Sequence, residues 1–169
     1  IIPNGVNTSL FKPRPERELR ELLNLEHDFV AGYVGLLREW IDFEPAFRAI
    51  SSLTRRNGLS IKLLIVGYGP ELSRIVDLAK SYRLQQNVIF VGPVSPKETP
   101  KYINAMDVCL LPFARSNITR KSLPLKLLEY ASCGKPIISS TTLDFPESLV
   151  AYATDFEEYS KYLKTLCSD

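Results

Sequence analysis

The chain has 169 residues, 45% of them hydrophobic and 24% charged, with a formal net charge of +2. That is enough apolar material for one soluble domain with a sizeable core, and too little net charge to argue for a nucleic-acid partner. No apolar run approaches the ~20 residues that span a bilayer. The opening Ile1-Ile2-Pro3-Asn4-Gly5 has neither Met nor a basic leader, so the chain reads as one domain over residues 1–169, excised from a longer protein.

Taken in order, residues 1–15, rich in Pro, Asn and Gly, read as a connector. A helix is expected from Pro15 to Leu25 with Leu19, Leu22 and Leu23 on one side, then a short strand from Phe29 to Gly35. Asp42 is placed to cap a helix running to Asn57, with Phe43, Phe47, Ile50 and Leu53 inward and Gly58 ending it. Ile61–Val66 is a continuous apolar run, as in a strand covered on both faces. Gly67-Tyr68-Gly69-Pro70 turns into a helix over Glu71–Tyr82, with Leu72, Ile75, Val76 and Ala79 inward. A strand follows at Val88–Val91 and breaks at Gly92-Pro93. Ser95-Pro96-Lys97-Glu98 is a capping pattern for a helix to Ala105. Met106–Phe113 reads as a strand, Ile137–Ser139 as another, Leu149–Ala153 as a last short one, and Asp155–Leu166 as a terminal helix.

Strands alternating with helices, without clean period-two patterning, indicate an α/β fold: a doubly wound, mostly parallel sheet with helices on both faces. Right-handed crossovers place every strand's carboxyl end on one edge. The loops after Gly35, Gly67, Gly92, Phe113 and Ser139 are therefore expected to converge on one crevice. The stretch from Ser122 to Pro136 is the centre of that crevice. Ser122 is placed to cap, Pro124 fits a first turn, and Gly134 and Pro136 end the helix. Leu125, Leu128 and Ser132 fall on one face, and Leu127, Tyr130 and Ala131 on a broader apolar side. A helix start just after a strand offers free N–H groups and a positive dipole end to an anion. Lys126 lies in that first turn and Glu129 one turn on, which suggests a phosphate followed by sugar hydroxyls.

Other residues carry two readings each. Gly67-x-Gly69 lacks the third glycine of a dinucleotide fingerprint, because that position is Leu72; this leaves a tight turn or a loop beside a diphosphate rather than an NAD site. Arg38 is an anion contact or an exposed loop cation. Arg115, Arg120, Lys121 and Lys126 are a solvated basic surface or a phosphate cradle, where loop and helix fields add. Trp40 stacks on a ligand or covers the core, and Asp107 reads as a cap. His27 has no orienting partner for catalysis. Cys109, Cys133 and Cys167 show no metal spacing and read as free thiols in a reducing, cytoplasmic compartment. The P-loop spacing is absent, and one His cannot build a Ser-His-Asp set.

One ordered set of motifs runs through nearly the whole chain: Ile2-Pro3-Asn4-Gly5-Val6-Asn7, Leu64-Ile65-Val66-Gly67-x-Gly69-Pro70, Asn87-Val88-Ile89-Phe90-x-Gly92-x-Val94, Tyr102-x-x-x-Met106-Asp107-Val108, and Pro124-Leu125-Lys126-Leu127-Leu128-Glu129-Tyr130 leading to Gly134-Lys135-Pro136-Ile137-Ile138. It resembles the carboxy-terminal domain of the glycosyltransferase group 1 family, retaining enzymes of the GT-B fold. The resemblance implies that this half is Rossmann-like and binds a nucleotide-diphosphate sugar as donor substrate, with no cofactor and no metal. An acceptor glycan or lipid would sit mainly on an amino-terminal half. It implies a ribose contact for Glu129, donor phosphates and ribose facing the backbone of Leu125 and Lys126, the base against Pro93 and Val94, and Gly67 and Gly69 near the donor.

The sequence departs from the family pattern at three places. The first glutamate of the family's Glu-x7-Glu motif is Lys121. The Arg that usually follows the strand-end glycine is Leu36, and the Lys that comes soon after it has no clear counterpart, so Arg38, Arg120 or Lys121 is expected to supply the positive charge. The glycine-rich turn before Pro146-Glu147 is reduced to Thr142-Leu143-Asp144-Phe145. The expected function is donor binding in a retaining, hexosyltransferase-like enzyme whose isolated domain is inactive. The parent would be cytoplasmic, with peripheral membrane contact through the missing half left open. Rival readings are a non-catalytic nucleotide-binding or regulatory module of the same fold, and a nucleotide-sugar epimerase.

Overall fold

The computed structural model describes residues 4–114, 124–142, 145 and 149–168. Six parallel strands form one sheet in the order β3-β2-β1-β4-β5-β6. They are β1 (Phe29–Val34), β2 (Ile61–Val66), β3 (Val88–Gly92), β4 (Val108–Leu111), β5 (Ile137–Ser139) and β6 (Val150–Tyr152). The helices are α1 (Arg17–Leu22), α2 (Glu44–Asn57), α3 (Leu72–Ser81), α4 (Thr99–Ala105), α5 (Leu125–Ser132) and α6 (Phe156–Ser168). This is the doubly wound α/β architecture expected from the sequence. The strand order reverses at β1, whose neighbours are β2 and β4. A crevice opens there at the carboxyl edge. Among the described residues no helix is long and apolar enough to cross a membrane.

The core follows from the apolar periodicities. β2 is covered on both faces, with Ile61, Leu63, Leu64, Ile65 and Val66 fully buried. α2 turns Phe47, Ile50 and Leu53 to the sheet, and Phe43 just before it stacks on Phe47 and meets Tyr33 edge-on. Asp42 lies one residue ahead of the N-cap, Phe43, and its carboxylate accepts the Glu44 N–H at 2.9 Å at the helix entrance; left-handed Gly58 ends the helix. α6 packs beside α2 with Tyr159 and Leu163 buried, and Arg48 lies over the Phe156 ring at 4.5 Å.

Several expectations need correction. α1 is shorter than expected and has no buried residue; Leu22 is 77% exposed, and Leu25 in the turn after it enters the core. The reason is Arg20, whose guanidinium donates to the carbonyls of Leu25, Asp28 and Ala105 and to Asp107. In α3 the buried stripe is Ile75 and Ala79, flanked by Leu72 and Leu78, while Val76 lies to its side. The Ser95–Glu98 pattern forms a turn ahead of α4: the Glu98 carboxylate accepts the Ser95 hydroxyl at 2.8 Å, and these hydrogen bonds hold its carboxyl below the usual range. In α5 the core face is Leu127 and Tyr130, whereas Leu125 is 51% exposed. Ser122, its expected cap, lies outside the described residues.

Asp107 is no helix cap. Its N–H donates to the Val30 carbonyl, its carboxylate accepts the Val30 N–H at 2.7 Å, and it pairs with Arg20 at 3.0 Å. These bonds close the β1–β4 seam at its lower end. Pairing runs on through Ala31–Val108 and Gly32–Cys109 and goes no further. Above that point the Val34 N–H donates to the buried Tyr130 hydroxyl at 2.9 Å instead of to β4. The leading segment, expected as a connector, is tied down by Asn104, which accepts the Arg14 N–H and donates to the Lys12 carbonyl.

Candidate functional site

The open upper end of the seam is roofed by loops that need glycine. Gly35 N–H donates to the Val66 carbonyl, Gly67 N–H to the Gly92 carbonyl, and Leu37 N–H to the Tyr68 carbonyl, so the loops after β1, β2 and β3 overlap like shingles. Gly67 has φ 131°, and a Cβ there would overlap the Gly35 carbonyl oxygen and lie 2.9 Å from its carbon. At Gly69 a Cβ would lie 2.7 Å from the Leu37 carbonyl carbon. The tight backbone approach is therefore sufficient reason for both glycines. The β1 loop also reaches across the seam: Ile41 bridges Phe113, and the Asp42 N–H donates to the Pro112 carbonyl at 2.7 Å. Four loops thus meet at one edge, as the crossover argument requires.

The start of α5 stands over the same opening. It begins after Pro124 with no side-chain cap from a described residue and no acidic residue in its first turn. The Leu127 N–H turns back to the Pro124 carbonyl at 3.0 Å, and the Leu125 and Lys126 N–H groups precede any intrahelical partner. Its far end is firmly closed: left-handed Gly134 donates to Ala131, and Lys135 N–H donates to Tyr130. Lys126 extends to the end of β1. Its ammonium lies over the Tyr33 ring at 5.3 Å and against Gly35. Burial pulls the Lys126 pKa down, opposed by Glu129. Glu129 lies one turn further along the helix, half-buried, and burial raises its pKa against the pull of Lys126. Neither side chain has a hydrogen bond or ion pair to a described residue.

The remaining expected residues divide clearly. Arg38 is exposed in the β1 loop, and Pro93 and Val94 follow Gly92, with Val94 packed on the core. Arg115, Arg120 and Lys121 lie outside the described residues. Trp40 is 43% exposed and is not among the residues packed on the core. Sequence reasoning missed Tyr33 and Tyr130, which read as core strand and helix residues. It also missed Gly35 as the seat of Lys126, though a strand-end glycine facing a lysine-bearing helix start was a usable signal. An apolar groove of about 570 Å³ between the end of α5, the starts of β5 and β6, and α6 lies at the opposite edge of the sheet. It gathers none of these groups, and parallel sheets bind ligands at the carboxyl edge, so it is not the candidate site.

Comparison with known proteins decides the family. The profile of glycosyl transferases group 1 matches residues 15–161. The chain belongs to the glycosyl transferases group 1 family. Among its relatives, the putative teichuronic acid biosynthesis glycosyltransferase TuaH of Bacillus subtilis is 27% identical over 93% of this chain and 38% of its own length. Alpha-monoglucosyldiacylglycerol synthase of Streptococcus pneumoniae is 30% identical over 82% of this chain and 32% of its own. The chain thus spans about a third of the length of such relatives. The fold is that of GT-B glycosyltransferases: Anabaena HepE, solved with UDP, superposes with a TM-score of 0.83 at 18% identity over 98% of this chain and 47% of that one. The C-terminal domain of LpcC from Francisella tularensis, a group 1 family protein, gives 0.76 at 18% identity over 98% of this chain and 89% of that domain.

Proposed function

We propose that this group 1 domain is the donor-binding half of a retaining glycosyltransferase that moves a sugar from a nucleotide-diphosphate sugar to a glycan or lipid acceptor. The acceptor would be held mainly by an amino-terminal half, and the domain alone would bind nucleotide without turnover. The observation that carries this reading is that the first turn of α5, which no described side chain caps, stands with Lys126 against Gly35 at the open end of the β1–β4 seam, with Glu129 one turn along the same helix. Negative charge builds on the leaving diphosphate as the sugar departs, and preoriented N–H groups stabilise it without reorganising. The Leu125 and Lys126 amides are proposed for that role. Glu129 would accept hydrogen bonds from the ribose hydroxyls, with the base beside Pro93 and Val94. The UDP and UDP-glucose held by HepE support a nucleoside diphosphate as ligand.

Isothermal titration of the folded chain with UDP and GDP tests this. One of them is expected to bind near ~1 mM, about −4 kcal/mol, and Glu129→Ala to weaken it about tenfold or more. No binding of either at millimolar concentration would overturn the reading. Leu36, apolar where the family carries a cation, favours a second reading: a regulatory module that no longer takes donor. Unchanged activity of Glu129→Ala in the full-length protein would support that alternative.

A further inference from the structure

The side chain of Lys126 is oddly placed for a structural residue. It is the second residue of α5, where the helix's positive end disfavours a cation. It is largely buried, which costs an ammonium its hydration. No described carboxylate or carbonyl accepts from it; its resting contact is the face of Tyr33, itself held by donating to the Leu36 carbonyl at 2.9 Å. Three unfavourable terms are gathered on one group, offset by a weak cation–π contact and the attraction of Glu129 one turn away. An anion at the sheet edge would reverse the balance, because the ammonium and the helix end would both attract it.

The seat is built for that placement. A Cβ at Gly35 would overlap Lys126 Cε and lie 3.1 Å from the Tyr33 hydroxyl. Gly35 φ is 146°, so the position resists a side chain on backbone grounds too. The β1 loop supplies no competing cation at the seat: Leu36 is apolar and Arg38 projects as an exposed residue without a described partner.

We propose that Lys126, seated in the notch left by Gly35 against Tyr33, is the residue that selects the diphosphate of the ligand, in place of a cation from the β1 loop. This rests on the donor-site reading above. Donor phosphate recognition would then come from a single helix, the amides and the ammonium together, and Gly35 would be required for affinity as well as for backbone shape. The sequence named Lys126 as one member of a basic cradle and looked to Arg38, Arg120 or Lys121 for the missing loop charge; the seat singles out Lys126, while Arg120 and Lys121 lie outside the described residues.

The test is titration of the full chain and its variants with UDP, GDP, inorganic pyrophosphate and the two free nucleosides. Lys126→Met is expected to weaken diphosphate binding roughly ten- to hundredfold, the range of a charge-assisted contact, and to leave nucleoside binding unchanged. Lys126→Arg keeps the charge but is too bulky for the seat, so it restores only part of the affinity. Gly35→Ala retains the lysine yet expels it, and is expected to reproduce the Lys126→Met pattern; if Gly35→Ala does not fold, the two lysine variants decide alone. Arg38→Met serves as the comparison and is expected to change diphosphate binding less than twofold. If wild type binds UDP or GDP and Lys126→Met binds it equally well, the selector role is overturned while the donor site stands. A loss shared equally by nucleosides and diphosphates also overturns it, since that is a general structural effect. No binding by folded wild type overturns both.

Discussion

Gly67→Ala distinguishes a glycine kept for packing from one kept for a ligand. The substitution meets two costs. Residue 67 has φ 131°, a region side chains rarely enter, at about 1–3 kcal/mol. The new Cβ would also overlap the Gly35 carbonyl oxygen, with the carbonyl carbon 2.9 Å away. That neighbour is backbone, held in turn by the Gly35–Val66 hydrogen bond of 2.8 Å, so relief requires a loop shift costing about 1–3 kcal/mol more. The total, roughly 4 kcal/mol, corresponds to a fall in Tm of about 8–16 °C in a domain of this size. Gly92→Ala is the internal standard: its φ is 85° and nothing lies within 4 Å of a Cβ there. It should lose only the conformational part, about 1–2 kcal/mol. Urea unfolding followed by circular dichroism measures both. If Gly67→Ala is no more destabilised than Gly92→Ala, the overlap of the β1 and β2 loops is not what requires glycine. A variant of normal stability with lost nucleotide affinity would return Gly67 to the ligand.

Tyr130→Phe removes the acceptor of the Val34 N–H in a fully buried site; leaving that donor unpaired is expected to cost about 1–3 kcal/mol, with faster hydrogen exchange at Val34 as its local sign. Glu129→Gln gives a pH signature. Burial raises the Glu129 pKa, so the folded state holds the proton to higher pH than the unfolded state. The stability tied to this group is greatest below the unfolded value and is lost as pH rises through the raised folded one. Glutamine escapes that loss, so the variant's stability relative to wild type should rise with pH from about 4 towards neutrality, while its nucleotide binding falls. A difference that stays flat with pH would mean that Glu129 is well solvated in the folded protein.

Much of the fold was legible because it is written locally. The β2 run Ile61–Val66, the α2 stripe Phe47, Ile50 and Leu53, and the Gly58 and Gly134 stops each need only neighbours in sequence, and each was read correctly. Crossover handedness then carried these elements to the right sheet edge. What stayed hidden depends on distant partners. Tyr130 meets Val34 across 96 residues and Arg20 meets Asp107 across 87; a tyrosine on an apolar helix face and an arginine in a short charged helix look ordinary until their partners arrive. α1 was misread for that reason, since its inner side is used by Arg20 rather than by Leu22. Gly67 and Gly69 were legible as important but not as to why, because a turn against backbone and a turn against phosphate ask for the same residue. The place of Glu129 one turn past the helix start suggested sugar hydroxyls, and family resemblance narrowed that to the ribose contact proposed here.

The two ends of one seam connect stability with function. At the lower end Asp107 satisfies both Val30 backbone groups and Arg20 clamps it, so β1 and β4 are held in register. Without that clamp, separating the strands above Gly32 would free one end of a loosely joined pair. With it, the parting is confined to the carboxyl edge. A parted pair of strands must still satisfy its backbone, and the Tyr130 hydroxyl does so for the Val34 N–H while burying its ring. Tyr130 belongs to α5, and its position in the seam sets the height and rotation of that helix. The same rotation brings Lys126 to Gly35 and Glu129 to the face one turn behind it. The core hydrogen bond and the placement of the two charged groups are therefore one geometric fact. Lys126 and Glu129 are each partly stripped of water, and each opposes the other's shift; on the proposed reading, a nucleoside diphosphate would supply the partners that both lack.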